Sequence, residues 1–172
     1  DFGSPADFRN AIVRVLSLCA GGGVDVSLIT DSTVAVLDGR CIDLLEVECS
    51  DWEVDASLLL ADASEIVEES LHTHLLRSLC PVTAQPDMGS LQVTYAGPRI
   101  DPTALLRYIV SFREHNDFHE ACVERIFVDI SKQCRPEKLS VYARYQRRGG
   151  IDINPYRSNV ESRPDNPRLW RQ

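Results

Sequence analysis

The chain has 172 residues, 44% of them hydrophobic, which suffices for the core of one domain, or of one domain plus part of another. With 26 acidic against 18 basic side chains and a net charge of −8, it lacks the clustered cations that displace counterions from a phosphate backbone, so no direct contact with nucleic acid is expected. No apolar run approaches the roughly 20 residues of a membrane-spanning helix, and the opening Asp-Phe-Gly-Ser-Pro has neither the basic nor the apolar part of a signal peptide; a cytoplasmic protein without membrane contact is expected.

Phe8, Ile12, Val13, Val15, Leu16 and Cys19 recur at helical spacing up to Gly21-Gly22-Gly23, so an amphipathic helix packed on a partner surface is expected there. Val24 to Thr30 alternates like a strand, and Val34–Leu37 and Cys41–Val47 read as further short strands or loops. From Glu48 to Ser64 the chain is acidic and irregular, and a domain boundary is expected in that stretch. Ile66–Ser78 is long enough for an extended strand, although Glu65–Leu76 can also be drawn as a helix. Cys80–Gly89 reads as a loop, and Ser90–Tyr95 as a strand stopping at Gly97-Pro98.

Asp101 is a candidate N-cap with Pro102 at the first helical position, and Leu105, Leu106, Ile109, Val110 and Phe112 form the apolar side of a helix reaching about Arg113. A second helix, near Phe118 to Cys134, buries Cys122, Ile126, Phe127 and Ile130. Leu139–Tyr145 alternates cleanly as a strand, and Gly149-Gly150 opens a turn into Ile151-Asp152-Ile153. The order strand, strand, helix, helix, strand, strand defines an α+β unit with an antiparallel sheet and both helices on one face. Residues from Arg157 onward read as an irregular surface tail.

Six cysteines are too widely spaced for paired zinc ligands. His72 and His74 share a strand face, yet no Cys-x-x-Cys or His-Glu-x-x-His pattern accompanies them, so no metal is expected. Cys80 enters a loop of turn-forming residues that could bring Asp87 back towards it; a nucleophilic thiol needs such a neighbour and partial exposure. By local sequence alone the stronger reading is a packed small hydrophobe. Glu120, preceded by Phe118 and His119, could present a carboxylate to the N–H groups of a purine-like base while Phe118 covers its face; the same residues also suit a helix start that favours an acid. Arg147-Arg148-Gly149-Gly150 combines guanidinium groups with open backbone, which fits an anionic ligand or a plain surface hairpin.

Taken together, several segments resemble the QueF family of nitrile reductases in queuosine biosynthesis, a tRNA-modification pathway: Leu75-Leu76-Arg77-Ser78 before Cys80, Gln85-Pro86-Asp87 with Gly89-Ser90, Leu105 to Arg113, His115 to Arg125, and Leu139 to Asn159. The resemblance implies the tunnelling fold. It implies further that Cys80 adds to the nitrile carbon of 7-cyano-7-deazaguanine as a covalent thioimide, that Asp87 protonates the nitrogen, and that His119 and Glu120, with Phe118, hold the deazaguanine. Arg148 and Gly149 fall on a contact to NADPH, two of which are consumed per 7-aminomethyl-7-deazaguanine formed. A homo-oligomer, most simply a homodimer, is implied because tunnelling-fold sites form between units.

Met88 and Leu79 stand where the family usually has Trp and a small residue. The family's Glu-Ser-Lys run does not occur in the 172 residues. A looser likeness of residues 1–50 to the end of the N-terminal half of two-domain members leads to the expectation of a longer protein: residues 1–55 the remnant of a first tunnelling-fold domain, 65–160 the catalytic one, 161–172 a tail. Two other readings stay open, a noncatalytic deazaguanine-binding remnant and a cyclohydrolase of the same fold, which would carry zinc.

Overall fold

A computed structural model describes residues 1–29, 34–160 and 164–172. The chain separates into two compact units, Asp1–Thr33 and Val34–Gln172.

In the first unit, α1 (Pro5–Ala20) starts at Ser4, whose hydroxyl accepts from the Asp7 N–H, and ends at Gly21. The helix is where the apolar spacing placed it, but none of its residues is buried, so within the described structure it is not a packed core helix. The alternation over Val24–Thr30 gives no strand in residues 24–29, and Thr30 lies outside the described residues. Alternation stabilises a strand only when a neighbouring edge accepts its hydrogen bonds.

The second unit holds a five-stranded sheet in the order β2-β3-β4-β5-β6, formed by β2 (Arg40–Cys41), β3 (Ala61–Leu79), β4 (Pro86–Ile100), β5 (Lys138–Tyr145) and β6 (Tyr156–Ser158). β2 runs parallel to β3, and the other pairs are antiparallel. Between β4 and β5 come α2 (Pro102–Val110), a short 3-10 turn over Ser111–Glu114, and α3 (His119–Gln133). This is the strand-strand-helix-helix-strand-strand order read from the sequence, an α+β unit. Its last strand is Tyr156–Ser158 rather than Ile151–Ile153.

The ambiguity over residues 65–76 resolves to strand. β3 and β4 form one long hairpin, with Leu79 opposite Pro86 and Ala61 opposite Ile100. Residues 86–89 therefore belong to a strand, not to a loop, and β4 continues through Gly97-Pro98. One face of the sheet carries Leu91, Val93 and Tyr95 of β4 and Leu139, Val141, Ala143 and Tyr145 of β5, all buried, as the period of two demands. The helices cover this face with Leu105, Ile109, Phe112, Cys122, Ile126 and Ile130. Asp101 caps α2 through the N–H groups of Thr103 and Ala104, and the Tyr108 hydroxyl donates to Asp129 at 2.7 Å, tying α2 to α3. Phe127, expected on the buried side of α3, is only partly buried, and Val123 takes its place beside Ile126.

The acidic stretch 48–64 is not a boundary. Asp51 pairs with Arg107 of α2 at 2.7 Å, Arg125 of α3 donates to the Val54 carbonyl at 3.0 Å, and Leu59 is buried in the common core. Asp51 is the acid of this stretch that meets a helix cation, and the division between the two compact units falls between Thr33 and Val34. Nor is the C-terminus a loose tail. β7 (Arg168–Leu169) pairs in parallel with β1 (Val34–Ala35), Leu169 is buried, and the Gln172 amide donates to Asn154 at 2.7 Å.

Candidate active site

The register of the β3-β4 hairpin decides what can meet. Ser78 lies opposite Asp87, and Cys80, two residues past Ser78, follows it at the strand's end. The turn over residues 80–85 is closed by the Cys80 N–H donating to the Gln85 carbonyl at 2.9 Å and by the Ala84 N–H donating to the Cys80 carbonyl at 2.8 Å. Ala84 takes a left-handed conformation, φ 55°, which tightens this turn at some steric cost.

The start of α3 is fastened to the same place. The Leu79 N–H donates to the His115 carbonyl at 2.9 Å, and the Asp117 N–H to the Leu79 carbonyl at 3.2 Å, a one-residue bridge centred on Asn116. With its amide oriented to satisfy its neighbours, Asn116 donates to the Cys80 carbonyl at 3.2 Å. His119 is thereby delivered beside Asp87. Its Nε2 stands 3.1 Å from Asp87 Oδ2, an ion-pair distance that falls short of hydrogen-bond alignment. The His119 ring stacks on Tyr145, centroids 4.0 Å apart and planes 22° from parallel. Gly89, opposite Tyr145 in the ladder, has no room for a side chain: a Cβ there would meet the tyrosine ring and the Arg144 carbonyl at 3.2 Å.

Asp87 is buried, as is His119. Its other oxygen accepts from the Arg148 guanidinium, which comes from the turn after β5. The second terminal nitrogen of Arg148 donates to the Thr83 hydroxyl at 3.1 Å. Hydrogen bonding from the Thr83 hydroxyl, then from the Thr83 and Val82 N–H groups, holds the Cys80 thiol below its usual pKa, against smaller opposing pushes from burial and the Asp87 charge. Cys122 is the contrast: burial pushes its thiol up to about 11.

Four of the seven candidate residues, Cys80, Asp87, His119 and Arg148, thus converge on one end of the sheet. Glu120 and Phe118 flank His119 but are exposed, a position from which side chains can close on a ligand. Gly149 and Gly150 have positive φ and nothing within 4 Å of an added Cβ, leaving their backbone open to approach. The Arg148 side chain, by contrast, is turned inward to Asp87 and Thr83, and Arg147 is the exposed cation of that turn. Thr83, Asn116 and Tyr145 belong to the arrangement although the sequence reading gave none of them a role. A threonine three residues past a candidate nucleophile, inside its turn, was the one usable signal.

The fold and this cluster define an α+β unit with a thiol of lowered pKa at a hairpin tip and a buried Asp, flanked by His and Arg, beside it. The sequence model of the family described as "QueF-like protein" matches residues 86–164; the match takes in Asp87, His119, Glu120, Arg148 and Gly149 and begins beyond Cys80. Among solved structures, the chain is similar to the apo form of the archaeosine synthase QueF-Like, at 16% identity and a TM-score of 0.47, over 54% of this chain and 91% of that one. Among the described residues, no helix is long and apolar enough to cross a membrane.

Proposed function

We propose that this protein acts in deazaguanine chemistry as an NADPH-dependent nitrile reductase, converting 7-cyano-7-deazaguanine to 7-aminomethyl-7-deazaguanine for queuosine biosynthesis in the cytoplasm, as a homodimer without nucleic-acid or membrane contact. The observation that carries the reading is the Cys80 thiol, held below its usual pKa by Thr83 next to the buried Asp87. The family match over residues 86–164 supports the substrate class.

In this reading the Cys80 sulfur adds to the nitrile carbon, one C–N π bond breaks, and its electron pair collects on nitrogen. Protonation there lowers the barrier. Asp87, ionised in its pair with Arg148, takes the proton that the Cys80 thiol gives up and delivers it to the nitrogen, with His119 next to it and Arg148 fixing its orientation. The thioimide that results keeps its carbon at Cys80 until the sulfur leaves. Glu120 accepts from the ring N–H groups of the base, and Phe118 covers its face. The 147–150 turn would hold NADPH through Arg147 and the open backbone at Gly149, with Arg148 at its inner edge. When bound, NADPH supplies the hydrides, two per amine formed.

A second reading, a noncatalytic deazaguanine-binding protein, is favoured by one observation: Arg148, expected to meet the cofactor, is committed to Asp87 and Thr83. Supplying both substrates separates the two. A reductase oxidises two NADPH per aminomethyl product and loses this in Cys80→Ala. Binding of the cyano compound with no NADPH oxidation supports the second reading.

A further inference from the structure

Away from Cys80, β2 lies alongside β3 with Cys41 opposite His72, and His74 follows two residues on, on the same strand face. We propose that Cys41, His72 and His74 form a zinc site that clips the 38–43 segment to β3 and leaves the fourth coordination position to solvent.

Each of the three residues offers a ligand atom, and these atoms all lie within 4.8 Å of one another. A tetrahedral zinc, with bonds of about 2.3 Å to sulfur and about 2.0 Å to nitrogen, holds its donors roughly 3.5 Å apart, so closure by about 1 Å completes the set. Exposed Cys41 can supply that movement by rotating its side chain. A thiolate with two imidazoles is the donor chemistry that zinc takes.

The second observation is the support behind the imidazoles. His72 Nδ1 lies 3.2 Å from the Asp38 carbonyl, which can only accept, so the proton sits on Nδ1 and the lone pair on Nε2. His74 Nδ1 is 2.7 Å from the Ser90 hydroxyl. Metal-binding histidines are characteristically held in this way, by a polar partner on the other ring nitrogen. The 38–43 segment is itself fixed. The Asp38 carbonyl also accepts from Gln92 at 3.0 Å, and the Asp43 carboxylate accepts from the Thr73 hydroxyl at 2.6 Å and the His74 N–H at 3.1 Å. Gly39, at φ 89°, passes so close to β3 that a Cβ would stand 2.2 Å from the Ser70 carbonyl oxygen. Cys80 is not in this set, so a zinc bound here leaves that thiol free.

The test is titration of the full chain, kept reduced, with Co2+ and with Zn2+. The expected result is one Co2+ per chain with a near-ultraviolet thiolate-to-cobalt band, displaced by Zn2+, and Zn2+-dependent protection of Cys41 from alkylation. Affinity should fall by more than about 100-fold, the upper end of losing even an outer partner, in Cys41→Ser and in His74→Asn, each checked for folding by circular dichroism. The band should persist in Cys80→Ala. No one-to-one binding, a band unchanged in Cys41→Ser, or a band lost in Cys80→Ala would overturn the proposal, and none of these outcomes depends on reductase activity.

Discussion

Arg148→Ala tests how Asp87 is held. The Asp87 side chain is 5% exposed and that of Arg148 31%, and the two form an ion pair. Removing a partner from a fully buried pair costs roughly 3–5 kcal/mol, because a charge is left uncompensated, whereas an exposed pair is worth about 0–1 kcal/mol. This pair is buried on one side only, and His119 remains 3.1 Å from the other Asp87 oxygen, so the expected loss is about 2 kcal/mol. Urea unfolding would read it as a lowered midpoint with an unchanged slope. Part of the loss comes from the Arg148–Thr83 hydrogen bond. A cycle with Asp87→Asn therefore isolates the carboxylate coupling, expected at about 1 kcal/mol or more. A coupling under roughly 0.3 kcal/mol would mean that Arg148 does not anchor Asp87 and is free for another ligand.

Further expectations concern reactivity and packing. Cys80 should be alkylated at neutral pH well before Cys122 and Cys134, whose thiols burial pushes up to about 11. Because Thr83 stabilises the thiolate, its replacement in Thr83→Val raises the Cys80 pKa. Its alkylation profile, followed by peptide mass spectrometry, should then begin at higher pH and converge with the wild type in alkali; superimposable profiles would refute the role of Thr83. Ile126→Ala, in a fully buried position on α3, should cost about 2–5 kcal/mol in urea unfolding, and Phe127→Ala less, in keeping with its partial burial. Equal losses would mean that the phase of α3 is misassigned. Gly39→Ala should destabilise by more than about 1 kcal/mol from backbone conformation alone, read as a lower thermal midpoint, because the site also has no room for a Cβ.

The parts of the fold that could be read in advance are those written locally. Asp101-Pro102 marks the start of α2, the alternation from Leu139 marks β5, and the 3.6-residue spacing marks α3. What failed depends on distant partners. Val24–Ile29 alternates like β5 but has no ladder, whereas Arg40–Cys41 carries little strand signal and becomes one because β3 offers an edge. Residues 48–64 read as a boundary because their helix partners, Arg107 for Asp51 and Arg125 for the Val54 carbonyl, lie far along the sequence.

The site divides in the same way. Cys80 and Asp87 were recognisable as a pair because one hairpin joins them. The contact between Asp87 and Arg148 spans 61 positions and exists only through the β3-β4-β5 register. Tyr145 was read only as part of an apolar strand face and a family-like segment, with no role of its own, yet its ring stacks on that of His119.

The central claim is that Cys80 is a nucleophile towards a nitrile. Intact mass spectrometry of the chain incubated with 7-cyano-7-deazaguanine, without NADPH, tests it most directly. The expected result is a single covalent adduct, mapped to the Cys80 peptide, absent in Cys80→Ala and formed more slowly at neutral pH in Thr83→Val. No adduct on a protein that binds the compound, or an adduct that survives Cys80→Ala, would contradict it.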